Sequence, residues 1–329
     1  MTADAAKETD VSAPGKLFLI GEYAVLHGYH AVVAAVDRRV TGQFVPGAAP
    51  ATPLVEKVVE AVRAYLVEDG GSLPDGAPVL DSGALASATG KLGLGSSAAV
   101  AAAGVGAMLE AAGCDIEYTQ GLAFRLANRA HRAAQGGLGS GADVAAAIYG
   151  GVLSYARRDG DVDVQPLDLP SGMEIIVFST GTPSSTVDRL RALETIAESD
   201  RAARQQRYAA LGKIAADFVV GCANDDARAV VDAAGRANAQ LSALGDLIGL
   251  PIVTPALAAA AKLAEELGGA AKPSGAGGGD VGVAFLTDRA AAETFRQRAA
   301  HLGLEILSIR TGADGLRREP SAEERNDVV

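Results

Sequence analysis

The strongest chemical signal in the chain is the stretch Lys91-Leu-Gly-Leu-Gly-Ser-Ser-Ala-Ala-Val100. Gly93 and Gly95 lack a Cβ, so the backbone there can take positive φ and come close to a ligand. Ser96 and Ser97 suit a helix N-terminus, and Ala98 onward carries the helix with high propensity. Unpaired N–H groups and the positive end of the helix dipole then face whatever lies over the loop. The natural guest is phosphate, with Lys91 adding a positive charge at the rim. A second loop, Gly136-Gly-Leu-Gly-Ser140-Gly141-Ala-Asp143, feeds another alanine-rich helix start. A third, Lys272-Pro-Ser274-Gly275-Ala276-Gly277-Gly-Gly-Asp280, runs into an apolar strand. Near the N-terminus, Ser12-Ala-Pro-Gly-Lys16 sets a turn and a lysine at the head of a strand. Taken singly, Asp143 reads as a helix N-cap as readily as a reactive carboxylate, and Lys16 as a surface lysine. Three glycine loops, two of them with a lysine, imply several backbone segments converging on one polyanionic ligand. Forty glycines, where a chain of this length averages about 23, agree with that.

Two other phosphate loops compete for the same residues. The P-loop needs Gly-Lys followed by Ser or Thr, and every Gly-Lys pair here (Gly15-Lys16, Gly90-Lys91, Gly212-Lys213) is followed by Leu or Ile. The dinucleotide fingerprint fits Gly93-x-Gly95-x-x-Ala98, with Asp115 near the distance of a ribose-binding acid. Against it, Ser82 to Thr89 is small and polar where a buried parallel strand is rich in Val and Ile.

A chain of 329 residues exceeds a single core and implies two domains. The net charge of −11 argues against nucleic-acid and anionic-membrane partners, so an anionic ligand needs local cations. Cys114 and Cys222 suit a reducing compartment. With a polar, charged start and no apolar run long enough to span a bilayer, the expectation is a soluble, cytoplasmic protein.

Strands are expected at Lys16–Ile20, Ala31–Val36, then a short one through Val45, with Asp37-Arg38-Arg39 between the last two. Pro53 to Val67 has one-face helical periodicity, and Gly70 to Pro78 reads as a loop. Helices follow over about Ser96–Ala112 and Glu117–Ala134; on the second, Arg125, Arg129 and Arg132 share a face that reads as solvated. Gly150–Arg157 and Val162–Leu167 form a hairpin about Asp159-Gly160-Asp161. The composition changes at Pro170, giving domains 1–170 and 171–329. The second is helical from Ser184 to Leu267 with a break near Gly249, and ends in strand, helix, strand and a charged tail from 316. Ser184 and Ser185 at a helix start, with Arg189 a turn later, form a further anion site or a simple cap.

Ala13-Pro-Gly-Lys16 with Gly21-Glu22-Tyr23-Ala-Val25, then Gly93-Leu-Gly-Ser-Ser-Ala98, then Lys272 to Asp280 resemble the three ordered motifs of the GHMP small-molecule kinases, across nearly the whole chain. Within that family the motifs read like those of phosphomevalonate kinases. Mevalonate kinases typically have His where Tyr23 stands and Asp-Asn where this chain has Asp143-Val144. His131-Arg-Ala-Ala-Gln135-Gly136 departs from them at the position of their magnesium-binding glutamate.

The resemblance implies an α+β, two-domain GHMP kinase fold: a ribosomal protein S5 domain 2-like N-terminal domain and a ferredoxin-like α/β C-terminal domain. It implies ATP and Mg²⁺ as cofactors, with Lys91, Gly93, Leu94, Gly95, Ser96, Ser97 and Ala98 around the ATP phosphates and the Ser97 hydroxyl on the metal. Asp143 becomes the base or orienting group for the acceptor oxygen, and Lys16 its cationic neighbour. Acceptor contacts are implied for Lys16, Glu22, Tyr23, Ser140, Gly141, Ser184, Ser185, Arg189, Ser274, Gly275, Ala276 and Gly277. The implied acceptor is phosphomevalonate, on a monomer or homodimer. Mevalonate, another small acceptor, or a non-catalytic nucleotide-binding regulator are the alternatives.

Overall fold

The computed structural model describes residues 10–73, 75–87, 90–158, 160–182, 189 and 200–320, with the side chains of 87, 90 and 91 left out. Its centre is β1 (Val11–Ile20), a strand buried on both faces. β1 pairs antiparallel with β2 (Ala31–Pro46), which continues to β6 (Val152–Arg158) and β7 (Asp161–Pro166) on one side and to β3 (Gly76–Asp81) along its second half, while β4 (Ala86–Ser87) and β5 (Gly90–Lys91), among the described residues, pair only with each other. Helices α1 (Pro53–Glu68), α2 (Ser96–Ala111), α3 (Gln120–Ala134) and α4 (Ala142–Tyr149) cover one face. α2 is the axle of this layer. From Ala98 to Leu109 nearly every residue is buried, and small side chains let neighbours approach: a Cβ added at Gly106 would sit 2.7 Å from Leu316.

A second antiparallel sheet has β8 (Glu174–Ser179), β9 (Ala270–Pro273), β10 (Val281–Leu286) and β11 (Glu305–Leu307) in the order β11-β8-β10-β9. Helices α5 (Arg201–Ala223), α6 (Ala227–Ile248), α7 (Pro255–Glu266) and α8 (Arg289–Ala299) pack with it. Their starts follow local chemistry: Asp226, Thr254 and Asp288 each accept a backbone N–H of the first turn, and Pro255 takes the first helical position where no N–H is needed. Two antiparallel sheets, each packed with helices, give the expected α+β organisation, and no strand pairing among the described residues is parallel, which removes the dinucleotide-fold reading.

Several expected boundaries change. The two strands at 31–45 are one, because Arg39 is satisfied from afar: its guanidinium donates to Ser12 Oγ (2.6 Å), Asp314 O (2.6 Å) and Gly315 O (2.6 Å). The stretch taken for a loop before Pro78 contains the start of β3. The long helical region is also interrupted between α5 and α6, where Asp225 takes φ 54°. The tail expected from 316 begins as a strand, β12 (Arg317–Arg318), which pairs with Val11 and Ser12 at the edge of the first sheet.

Candidate active site

The first and third glycine loops meet at the side chain of Lys16. Its backbone N–H donates to Leu94 O (2.8 Å), which ties β1 directly to the loop before α2. That approach needs Gly15, where a Cβ would lie 2.7 Å from Leu94 O. Gly95, at φ 75°, lies against the lysine stem, and a Cβ there would come within 2.8 Å of Lys16 Cγ and Cε. From the third loop, a Cβ at Gly275 would stand 3.8 Å from Lys16 Nζ. Gly93 abuts Asp280 at the end of that loop (2.7 Å from an added Cβ to Asp280 Cβ). Burial lowers the Lys16 pKa below its usual 10.5, and of the neighbouring carboxylates that oppose this Asp143 acts most strongly, followed by Glu22 and Asp280. The ammonium is thus a desolvated cation facing three acids where three backbone segments converge.

The loop at Gly93 to Ser97 has the expected anion-site form. None of these five amides donates to a described carbonyl, while Ala98 N and Ala99 N turn back to Gly95 O (3.0 and 3.2 Å) to start the helix. Leu94 and Ala98 are buried and fix the loop from behind, and Ser96 opens the helix. The side chain of Lys91 is not among those described. Ser97 Oγ lies 3.0 Å from Nε2 of the buried His131, whose same nitrogen lies 2.9 Å from Gln135 Nε2. With the Gln135 amide assigned as a donor, Nε2 carries no proton and the serine hydroxyl donates to it. The serine lone pairs are then left free, which suits a hard cation such as Mg²⁺.

Asp143 sits in the first turn of α4, whose N-cap is Gly141 at φ 92°. A Cβ at Gly141 would come within 2.8 Å of both Asn128 Oδ1 and Tyr155 Oη. Ser140 fixes the same turn: its hydroxyl accepts Ala142 N (3.2 Å) and its carbonyl accepts the Tyr155 hydroxyl (2.7 Å). Asp143 is not the N-cap; among the described residues its Oδ1 accepts only the adjacent Val144 N (3.1 Å). Arg132, read from sequence as part of a solvated stripe, instead braces this loop by donating to Gly139 O and Gly137 O (both 2.8 Å), while Arg125 and Arg129 are exposed.

Five residues expected to touch an acceptor join the first and third motifs to each other. The Tyr23 hydroxyl donates to Ala276 O, and Ser274 Oγ accepts Phe18 N (2.9 Å). Glu22 Oε1 accepts from Lys272 Nζ and, more weakly, from Gly275 N (3.4 Å); Lys272 Nζ also donates to Pro273 O (2.7 Å). Both charges are almost wholly buried, at 2% and 0% exposure, which makes this ion pair the electrostatic bolt across the two loops. Burial pushes the Tyr23 phenol well above its usual range, and Tyr23 itself sits at φ 62°. Gly277, at φ 68°, leaves no room for a side chain, since a Cβ there would lie 2.5 Å from Ile252 O. The Arg189 guanidinium lies against Gly278, so close that a Cβ there would overlap it. Ser184 and Ser185 lie outside the described residues. Sequence reading missed the part played by His131 and Lys272; a lysine inside the otherwise apolar β9 was the available signal for the latter.

Comparison with known proteins gives the family. The GHMP kinases N terminal domain matches residues 56–151 and the GHMP kinases C terminal domain matches residues 218–303. The chain belongs to the GHMP kinases, and is therefore a phosphotransferase. Among curated relatives it is 32% identical to the phosphomevalonate kinase of Streptomyces sp. (strain CL190), over 92% of this chain and 97% of that one. It is 30% identical to the mevalonate kinase of Aeropyrum pernix, over 71% of this chain and 76% of that one. Among solved structures, Streptococcus pneumoniae phosphomevalonate kinase in complex with phosphomevalonate and AMPPNP superposes with a TM-score of 0.80 at 20% identity, covering 92% of this chain and 99% of that one. The Lin0012 protein from Listeria innocua superposes with a TM-score of 0.87 at 25% identity, covering 96% and 100%. No described helix is long and apolar enough to cross a membrane.

Proposed function

We propose that this chain transfers the γ-phosphoryl group of ATP to the phosphate of 5-phosphomevalonate, giving 5-diphosphomevalonate and ADP. The observation that carries the proposal is the burial of Lys16 against the first and third glycine loops, with Asp143, in the helix that follows the second, as its foremost counter-charge. Phosphoryl transfer asks a protein chiefly for positioning and charge neutralisation, because the group in flight is loosely bonded to both oxygens. The Gly93–Ser97 amides supply donors to the nucleotide phosphates, and Lys16 offsets charge between donor and acceptor. An acceptor phosphate oxygen attacks the γ-phosphorus, a P–O bond forms, and the bond to the departing ADP breaks. Since a phosphate monoester has its second pKa near 6, the attacking oxygen is already largely unprotonated at pH 7. Asp143 then orients that oxygen and takes the proton from the monoanionic fraction, while Lys16 offsets the repulsion between carboxylate and phosphate. Ser97 would hold Mg²⁺, its hydroxyl proton engaged by His131. When bound, the metal neutralises charge on the nucleotide phosphates.

The Streptomyces relative and the Tyr23 and Asp143-Val144 motif variants support phosphomevalonate as acceptor; the Aeropyrum relative keeps mevalonate as the second reading. A coupled ADP-release assay with both acceptors side by side separates them. Turnover with phosphomevalonate alone is expected; turnover with mevalonate alone makes the chain a mevalonate kinase, and ADP release with neither points to a nucleotide-binding regulator.

Burial of Lys16 also sets a pH dependence. Its charged form is needed for transfer, and desolvation moves its pKa below 10.5, so raising the pH discharges it earlier than an exposed lysine. The pH profile of kcat/KM is expected to fall on the alkaline side below pH 10.5. In Lys16→Arg, whose guanidinium stays charged, that limb disappears from whatever activity remains. An alkaline limb unchanged in Lys16→Arg removes Lys16 from this part.

A further inference from the structure

Beside the Asp143 loop opens a cavity of about 1000 Å³ bordered by residues 25–29, by the loop 137–140, by the end of β6 and by α5. Arginines give it its character: Arg132, Arg157, Arg158 and Arg204 all line it. In a chain of net charge −11 such a concentration of one sign requires a cause. Among the described residues no carboxylate lies within ion-pair distance of Arg132, Arg157 or Arg158. Arg132 is spent on the loop carbonyls already given, and Arg158 donates to Gly28 O (3.0 Å). Arg157 has no described hydrogen-bond partner, and its charge, after burial, is the chief influence holding the Arg132 pKa below its usual value. The guanidiniums of Arg132, Arg157 and Arg158, gathered without an acid among the described residues, repel one another; an anion between them turns that repulsion into attraction.

The position of the cavity limits which anion this is. No residue of the Gly93–Ser97 loop lines it, whereas Gly139 and Ser140, just ahead of Asp143, do. Tyr155 bridges the two regions: its hydroxyl donates to Ser140 O, and both Arg157 and Asp143 act on it electrostatically. The space therefore belongs to the acceptor's side of the cleft and not to the nucleotide's.

We propose that Arg157 and Arg158 bind the second anionic group of the acceptor, a carboxylate remote from the reacting phosphate, while Arg132 holds the loop between the two. This rests on the kinase reading, in which the acceptor phosphate lies at Lys16 and Asp143. A phosphorylated hydroxy acid fits both ends of such a cleft, and a phosphate monoester without the carboxylate fits only one. Planar, bidentate pairing makes arginine suited to this task. A charge-assisted hydrogen bond of this kind corresponds to roughly 10- to 100-fold in binding.

The test uses the full-length enzyme, 5-phosphomevalonate, and its C1 carboxamide, with initial rates and calorimetric binding measured in parallel. For the wild type, the carboxamide is expected to show a KM roughly 10- to 100-fold above the acid. Arg157→Ala and Arg158→Ala are expected to raise the KM of the acid by a similar factor, leave the KM of ATP within about twofold, and lose discrimination between acid and carboxamide. Arg157→Lys, which keeps the charge, recovers part of the discrimination and guards against misfolding as the explanation. Unchanged acid KM in both alanine variants, or acid-to-carboxamide discrimination that survives in them, overturns the proposal. If the wild type binds phosphomevalonate without phosphorylating it, and the alanine variants bind it more weakly, the arginine site stands while the kinase reading falls. If it neither binds nor phosphorylates it, both fall.

Discussion

Asp143→Asn is expected to lower kcat with phosphomevalonate by about 10²- to 10⁴-fold, the range that positioned proton-transfer groups contribute. The fold should survive. Asp143 is only partly buried, and the one hydrogen bond it accepts, from Val144 N, is available to the Asn carbonyl oxygen as well. The loss should fall on kcat with little change in the KM of ATP, because the Gly93–Ser97 loop does not depend on this carboxylate. Steady-state rates beside a thermal melt check both halves. A variant with normal melting and kcat within about fivefold of wild type would show that the carboxylate neither orients the acceptor nor carries a proton.

Lys272→Met is expected to be the most destabilising single change near the site. Lys272 and Glu22 are buried at 0% and 2% exposure, and removing the lysine leaves Glu22 Oε1 with only the long contact to Gly275 N. Glu22 Oε2 already has no hydrogen-bond partner among the described residues. Breaking such a pair from one side costs roughly 3–5 kcal/mol, since the remaining charge is stranded out of water. In a chain of this size that corresponds to a fall in Tm of about 4–7 °C. The double variant Glu22→Leu/Lys272→Met should recover much of the loss, because no uncompensated charge remains. Calorimetric scans of the two variants decide it. A double variant no more stable than Lys272→Met would mean that the pair holds the loops by geometry more than by charge balance.

The sequence made the glycine loops, the capped helices and the β10 strand legible because their signals are local. Gly93 and Gly95 announce positive φ, Thr254-Pro255 announces a helix start, and Val281 to Leu286 is an unbroken apolar run. What stayed hidden depends on residues far apart in the chain. Asp37-Arg38-Arg39 looked like the end of a strand, yet Arg39 is neutralised and bonded by groups at 12, 314 and 315. β12 escaped notice because two arginines pair with β1 across almost the full chain, supported by Arg318 on Glu110 (2.8 Å). At the site, the motif residues were legible, but one of their tasks was not: Glu22, Tyr23, Ser274 and Ala276 hold the first and third motifs together. The arginines at 157 and 158 carry no motif and acquire meaning only once the hairpin lays them beside the Asp143 loop.

Phosphorus NMR of the completed reaction tests the central claim most directly. Incubating the enzyme with MgATP and 5-phosphomevalonate should replace the acceptor's single phosphomonoester resonance with two mutually coupled resonances of a diphosphate ester, in step with conversion of ATP to ADP. A phosphomonoester resonance growing from mevalonate, with phosphomevalonate left untouched, would contradict the account.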